Sequence, residues 1–133
     1  EKEKNLRKVL NFGHTFAHGY EAALGYSKKL NHGEAVLLGM CSALKFSYES
    51  KYLKKHEFNR ILKHLQNPKI NLSLKNYFSL KDLSLILLFM SKDKKNYSNK
   101  INLILLRKMG FVITNKEYSS NTIKLFLKKE LVN

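Results

Sequence analysis

Cysteine is nearly absent from this 133-residue chain, with Cys41 standing alone. An internal disulfide is excluded, and the lone thiol fits a reducing, cytoplasmic setting. Long apolar runs are missing as well. The longest, Leu83 to Met90, is broken by Ser84 and is far too short to cross a bilayer, so no membrane partner is expected. The opening residues Glu1-Lys2-Glu3-Lys4 are charged where a secretory signal needs an apolar core, and no initiator Met precedes them. The chain therefore reads as one domain cut from something longer. Neither G-x-G-x-x-G nor G-x-x-x-x-G-K-[ST] occurs, so it carries no nucleotide loop of its own. Acidic residues are scarce: 10 against 25 basic ones, a formal charge of +15. Arginine is confined to Arg7, Arg60 and Arg107. The excess is lysine spread along the chain, without the interleaved aromatics of a nucleic-acid stacking platform. Nucleic acid is thus not an expected partner, although the charge would draw an anionic substrate.

What is present is concentrated near the start. Read as a helix, Arg7, Asn11, His14, His18 and Glu21 recur at spacings of 4, 3, 4 and 3 and share one stripe. Leu6, Val9, Leu10, Phe12, Phe16, Ala17 and Tyr20 surround it with apolar side chains. An ordinary surface helix carries one apolar stripe on a polar cylinder, and this one is the inverse. Burying an arginine and two imidazoles without partners would cost several kcal/mol, roughly, for each unpaired charge. The stripe is therefore a satisfied polar network or a ligand site. Gly13 and Gly19 each cost a helix interior about 1 kcal/mol relative to Ala, a cost that fits close approach of another backbone or a ligand.

Further along, the helix is expected to end near Leu24, and Gly25-Tyr26-Ser27 breaks the pattern. Asn31 is an N-cap with Glu34 three residues on, the spacing of a capping box. That opens a second helix through Tyr48 and places His32 in its first turn, within reach of the first helix. A third helix is expected over about 57–65 with Phe58, Ile61, Leu62 and Leu65 inside, His56 and His64 exposed, and Asn67-Pro68 at its end. Ser79 and Asp82 form a capping-box variant ahead of a fourth helix with Leu80, Leu83, Ile86, Leu87 and Met90 buried. Ile101 to Leu106 and Phe111 to Thr114 read as a hairpin around Lys108-Met109-Gly110. Ser119 or Ser120 caps a last helix with Ile123, Leu125, Phe126 and Leu131 partly buried. The class is mainly α, a helical domain with a short two-stranded hairpin near the C-terminus.

His14 and His18, at i and i+4, can address one point and together bind a metal. Thr15 stands where a zincin helix needs glutamate, so the protease reading fails. His32 adds a third imidazole. A catalytic zinc commonly takes three protein ligands and keeps one position open. Glu21 and Glu34 are the available carboxylates, with Glu34 already required by the cap. An arginine fork beside an amide, as at Arg7 and Asn11, suits a phosphate or carboxylate. Lys92, Lys94 and Lys95 read by spacing alone as a solvated basic turn.

The residues then become specific. Arg7-x-x-Leu10-Asn11-Phe12-Gly13-His14-Thr15-Phe16-x-His18-x-x-Glu21, followed by His32-Gly33-Glu34-Ala35-Val36-x-x-Gly39-Met40, closely resembles the 3-dehydroquinate synthase family. Asp93-Lys94-Lys95-Asn96 and the hairpin with Met109-Gly110 look like the same family's closing segments. The resemblance is strongest over the first 40 residues and weak between Tyr48 and Leu80. Ala17 and Gly19 stand where the family often has Gly and Ala.

The resemblance implies a two-domain enzyme in which an N-terminal α/β domain binds NAD, with residues 1–133 as the C-terminal helical domain. It implies that His14 and His32 ligate zinc or cobalt, with a third ligand, a glutamate, upstream. His18 would act as the acid–base group, and Arg7, Asn11 and Lys94 or Lys95 would hold the substrate phosphate. Glu21 would support the site from behind. A sugar-phosphate substrate, a homodimer and an inactive isolated fragment are further implications. The rivals are another sugar-phosphate cyclase such as 2-deoxy-scyllo-inosose synthase, a metal-dependent polyol dehydrogenase, and a basic helical module for nucleic acid.

Overall fold

In the computed structural model, residues 12–65, 73–91, 100–108 and 111–132 are described. Five α-helices and one hairpin are found among them. These are α1 (His14–Ala23), α2 (His32–Glu49), α3 (Lys55–Leu65), α4 (Leu83–Met90), β1 (Lys100–Lys108), β2 (Phe111–Ser119) and α5 (Ser120–Val132). Single 3-10 turns lie at Leu74–Asn76 and Leu80–Asp82. The mainly α reading is what the chain adopts, with one two-stranded antiparallel sheet among the described residues.

Helix α1 is the hub. Its Phe16 and Tyr20 are fully buried, and α2, α4 and β1 pack around it. The Phe16 ring meets Phe126 of α5 at 5.9 Å, and the Tyr20 ring meets Phe78 at 5.5 Å. Ring pairs at such separations hold elements together beyond simple area burial. Where α1 crosses α2 there is no room for a side chain on either partner. A Cβ on Gly13 would lie 2.5 Å from the Met40 backbone nitrogen, and one on Gly39 would collide with the Gly13 carbonyl oxygen. Gly13 and Gly39 thus bring peptide against peptide, the close approach foreseen for Gly13, while Gly19, the other glycine so read, lies against Met90 and Ile86 of α4.

Helix ends follow their local chemistry. Tyr26 N–H donates to the Glu21 carbonyl at 2.9 Å and Gly25 N–H to that of Ala22 at 3.0 Å, while both residues take positive φ. This is the Schellman stop of a helix. The expected capping box opens α2: Glu34 N–H donates to Asn31 Oδ1 at 2.8 Å and Asn31 N–H to Glu34 Oε1 at 3.0 Å. Ser79 N–H donates to Asp82 Oδ2 at 2.8 Å ahead of α4. Ser119 rather than Ser120 caps α5, its Oγ accepting from Thr122 N–H at 3.2 Å.

The hairpin is longer than expected, and its register slips between Leu103 and Leu105 and again between Leu106 and Lys108. At that irregular stretch the Ser47 hydroxyl of α2 accepts from Leu106 N–H at 3.0 Å and donates to the Ala43 carbonyl at 2.7 Å. A donor that the slipped ladder would waste is satisfied from the neighbouring helix.

Two core assignments are corrected. Leu80 is 48 % exposed because it sits in the 3-10 turn before α4, off that helix's 3.6-residue stripe. Leu125 is 58 % exposed, and Leu127 takes its place beside Ile123 and Phe126. The spacing of i, i+3 and i+4 from Ile123 selects Leu127 and leaves Leu125 outside. On α3 only Ile61 is fully buried, and His56 and His64 are exposed as expected. The Asn67-Pro68 break and the Met109-Gly110 turn lie outside the described residues.

Candidate functional site

Phe16 and Tyr20 bind α1 to the core, and this fixes where the rest of the helix looks. A turn away on the same cylinder, His14 and His18 are exposed and Glu21 is partly covered. They line a cleft of about 460 Å³ closed by the first turn of α2, the end of α4 and β1. The cost of burying imidazoles is therefore not incurred: the helix is mostly buried, as the pattern implied, but its histidines stay in contact with solvent.

His32 enters the cleft from the capped start of α2. Its Nδ1 lies 3.1 Å from both Glu21 carboxylate oxygens. The Glu21 side chain is only 16 % exposed and His32 is 77 % exposed, so a sheltered carboxylate holds a ring that projects outward. With Nδ1 engaged, Nε2 is the nitrogen left for a ligand. A carboxylate behind a metal-binding imidazole orients the ring and raises its basicity. Glu34 is committed elsewhere, since Oε1 serves the cap and Oε2 accepts from Tyr77 Oη at 3.4 Å. Burial first, and the nearby Glu34 carboxylate second, push the Tyr77 phenol up.

The cleft brings His14, His18 and His32 together, and it is the donor set that bears on a metal. Among the described residues no three His, Cys, Asp or Glu side chains converge as a cage. Two imidazoles, one braced by Glu21, fit a borderline ion such as zinc or cobalt that completes its shell from elsewhere. Arg7, Asn11, Lys94 and Lys95 lie outside the described residues.

The hairpin side of the cleft was not anticipated. Thr15 Oγ1 donates to the Asn102 carbonyl at 3.0 Å, tying α1 to β1. Alternation along β1 puts Ile101, Leu103 and Leu105 in the core and turns Asn102 and Ile104 to the cleft. The available signal was the lone amide inside the otherwise apolar run Ile101 to Leu106. Cys41 is no part of the site: it is buried, and burial pushes its thiol up to about 11.

Residues 1–96 match the family model described as 3-dehydroquinate synthase C-terminal. The 3-dehydroquinate synthase of Pelagibacter ubique is 51 % identical over 131 residues, covering 98 % of this chain and 36 % of the relative. That of Zymomonas mobilis is 36 % identical, covering 98 % and 35 %. That of Endomicrobium trichonymphae is 41 % identical, covering 86 % and 30 %. The chain thus spans about a third of the length of these curated relatives. Among solved structures, a 2-deoxy-scyllo-inosose synthase complexed with carbaglucose-6-phosphate, NAD+ and Co2+ shares the fold. Its TM-score is 0.67 at 20 % identity, over 90 % of this chain and 32 % of that one.

Proposed function

This chain belongs to the 3-dehydroquinate synthase family, and from that premise we infer that it is the C-terminal, metal- and substrate-binding domain of a two-domain enzyme. The intact enzyme would convert 3-deoxy-D-arabino-heptulosonate 7-phosphate into 3-dehydroquinate and phosphate, a step of the shikimate pathway. The observation that carries the reading is the meeting of His14, His18 and a Glu21-braced His32 in one cleft.

In this reading His14 and His32 hold the ion, with a third ligand from the preceding domain. Bound zinc or cobalt would supply Lewis-acid polarisation of a substrate oxygen. NAD, held by that other domain, would supply reversible hydride acceptance. With NAD bound there, oxidation of a substrate hydroxyl would acidify the neighbouring C–H and so favour departure of phosphate. Exposed on α1, His18 can exchange a proton with solvent and pass it between the substrate hydroxyl and the departing phosphate. Arg7 and Asn11 would grip the phosphate with Lys94 or Lys95, and the lysine-rich composition would steer it inward. A homodimer in the cytoplasm is part of the same proposal, and the buried free thiol of Cys41 fits a reducing compartment.

The test uses the intact enzyme. His14→Ala and His32→Ala should each remove bound metal and activity together, measured by elemental analysis and phosphate release. Stoichiometric metal retained in both variants would overturn the ligand assignment. This domain expressed alone should be inactive. A second reading, a cyclase acting on a hexose phosphate, rests on the fold shared with 2-deoxy-scyllo-inosose synthase. Turnover of glucose 6-phosphate in preference to the seven-carbon substrate would select it.

A further inference from the structure

Among the described residues, one buried side-chain polar atom has no hydrogen-bond partner: Asn102 Oδ1. An orphaned acceptor costs about 1–3 kcal/mol, so its presence calls for a reason. Three facts locate that reason. Asn102 lines the cleft that holds His14, His18 and His32. Its own carbonyl is held by the Thr15 hydroxyl at 3.0 Å, which pins the Asn102 backbone against α1, one residue from His14. Its flanking neighbours Ile101 and Leu103 are buried in the core, so β1 cannot turn the amide elsewhere without exposing them.

We propose that Asn102 is a substrate-contacting residue whose carboxamide pairs with a hydroxyl group of a polyol phosphate bound in the cleft. A rotation about the terminal torsion, a soft one for asparagine, exchanges the positions of its oxygen and nitrogen. The group is therefore matched to a hydroxyl, which both donates and accepts. Oδ1 is sheltered from solvent in the free protein, so that rotation is what brings it to the cleft, where the ligand supplies the missing partner and the desolvation already incurred is not incurred again on binding. This rests on the cyclase reading above for the substrate class, and on the cleft geometry alone for the residue.

The experiment compares the intact enzyme with Asn102→Leu, which keeps the branched shape without its polar atoms, and Asn102→Asp, which keeps an acceptor. KM and kcat are measured with the seven-carbon phosphate, Kd by calorimetry without added NAD, and Tm and metal content in parallel. Asn102→Leu should raise KM and Kd about tenfold, the loss of one hydrogen bond, with kcat within about twofold and metal content unchanged. Its Tm should equal or exceed that of the wild type, because an orphan has been removed. Asn102→Asp should recover part of the lost affinity. KM and Kd within about twofold of wild type in Asn102→Leu would overturn the proposal. If the wild type binds the seven-carbon phosphate without turning it over, the reaction assignment fails, and the two Kd values still decide the role of Asn102. A wild type that binds neither that compound nor glucose 6-phosphate overturns both.

Discussion

The two sides of α1 are built to opposite specifications. One carries Phe16, Ala17 and Tyr20 into a dry core, where Tyr20 Oη and Ser42 Oγ satisfy each other at 2.6 Å. The other carries His14, His18 and Glu21 to an open cleft. On the packed side the interactions are short-ranged, and volume decides them. On the cleft side the side chains contribute little to folding, and their arrangement is what a ligand would meet. A ten-residue helix can serve both only because its packed side is anchored strongly enough to leave the other unconstrained.

The largest effect should come from the packed side. Phe16→Ala should destabilise the domain by about 3–5 kcal/mol in urea unfolding. A value near 1 kcal/mol would mean the core is looser than its rings indicate. Next, Gly39→Ala should cost about 3 kcal/mol, the upper end for overpacking, because the added carbon meets backbone and not a movable side chain.

Alkaline pH probes the same interior. The Cys41 thiol, ordinarily near 9, is raised to about 11 by burial. Between those values the unfolded chain releases the proton and the folded one keeps it, so stability should fall as pH rises from 9 to 11. The full fall from this group would be about 2–3 kcal/mol. Cys41→Ala should remove the portion that begins near pH 9, leaving the later loss from Tyr20, whose buried phenol is also raised. An unchanged pH profile in that variant would show that the thiol titrates normally. The smallest effect belongs to the cleft side: His18→Gln should change stability by no more than about 0.5 kcal/mol, while lowering phosphate release sharply. A large loss of stability would erase the contrast between the two sides.

The features legible in the sequence are those whose chemistry is local. Asn31 with Glu34 and Ser79 with Asp82 announce helix starts within four residues, and the Ile101–Leu106 run announces a strand. The 3.6-residue repeat gave α1 its buried and open sides. Leu80 was misplaced where one period gives way to another, at a 3-10 turn, and Leu125 inside a helix whose phase Ile123 sets. The Thr15–Asn102 link spans 87 positions and depends on how the hairpin docks, which no local pattern encodes. The reach of His32 toward the first helix was legible because it lies only eleven positions from Glu21, with one Schellman turn between them.

If His14 and His32 hold an ion as proposed, the meeting of Gly13 and Gly39 has a consequence for metal chemistry. His14 follows Gly13 directly, and His32 lies on the helix that contains Gly39. The span between the two imidazoles is thus gauged by peptide planes in contact and not by side chains that can yield. A larger residue at either glycine would widen the bite offered to an ion, so a fold that survived the change would still have lost its calibration.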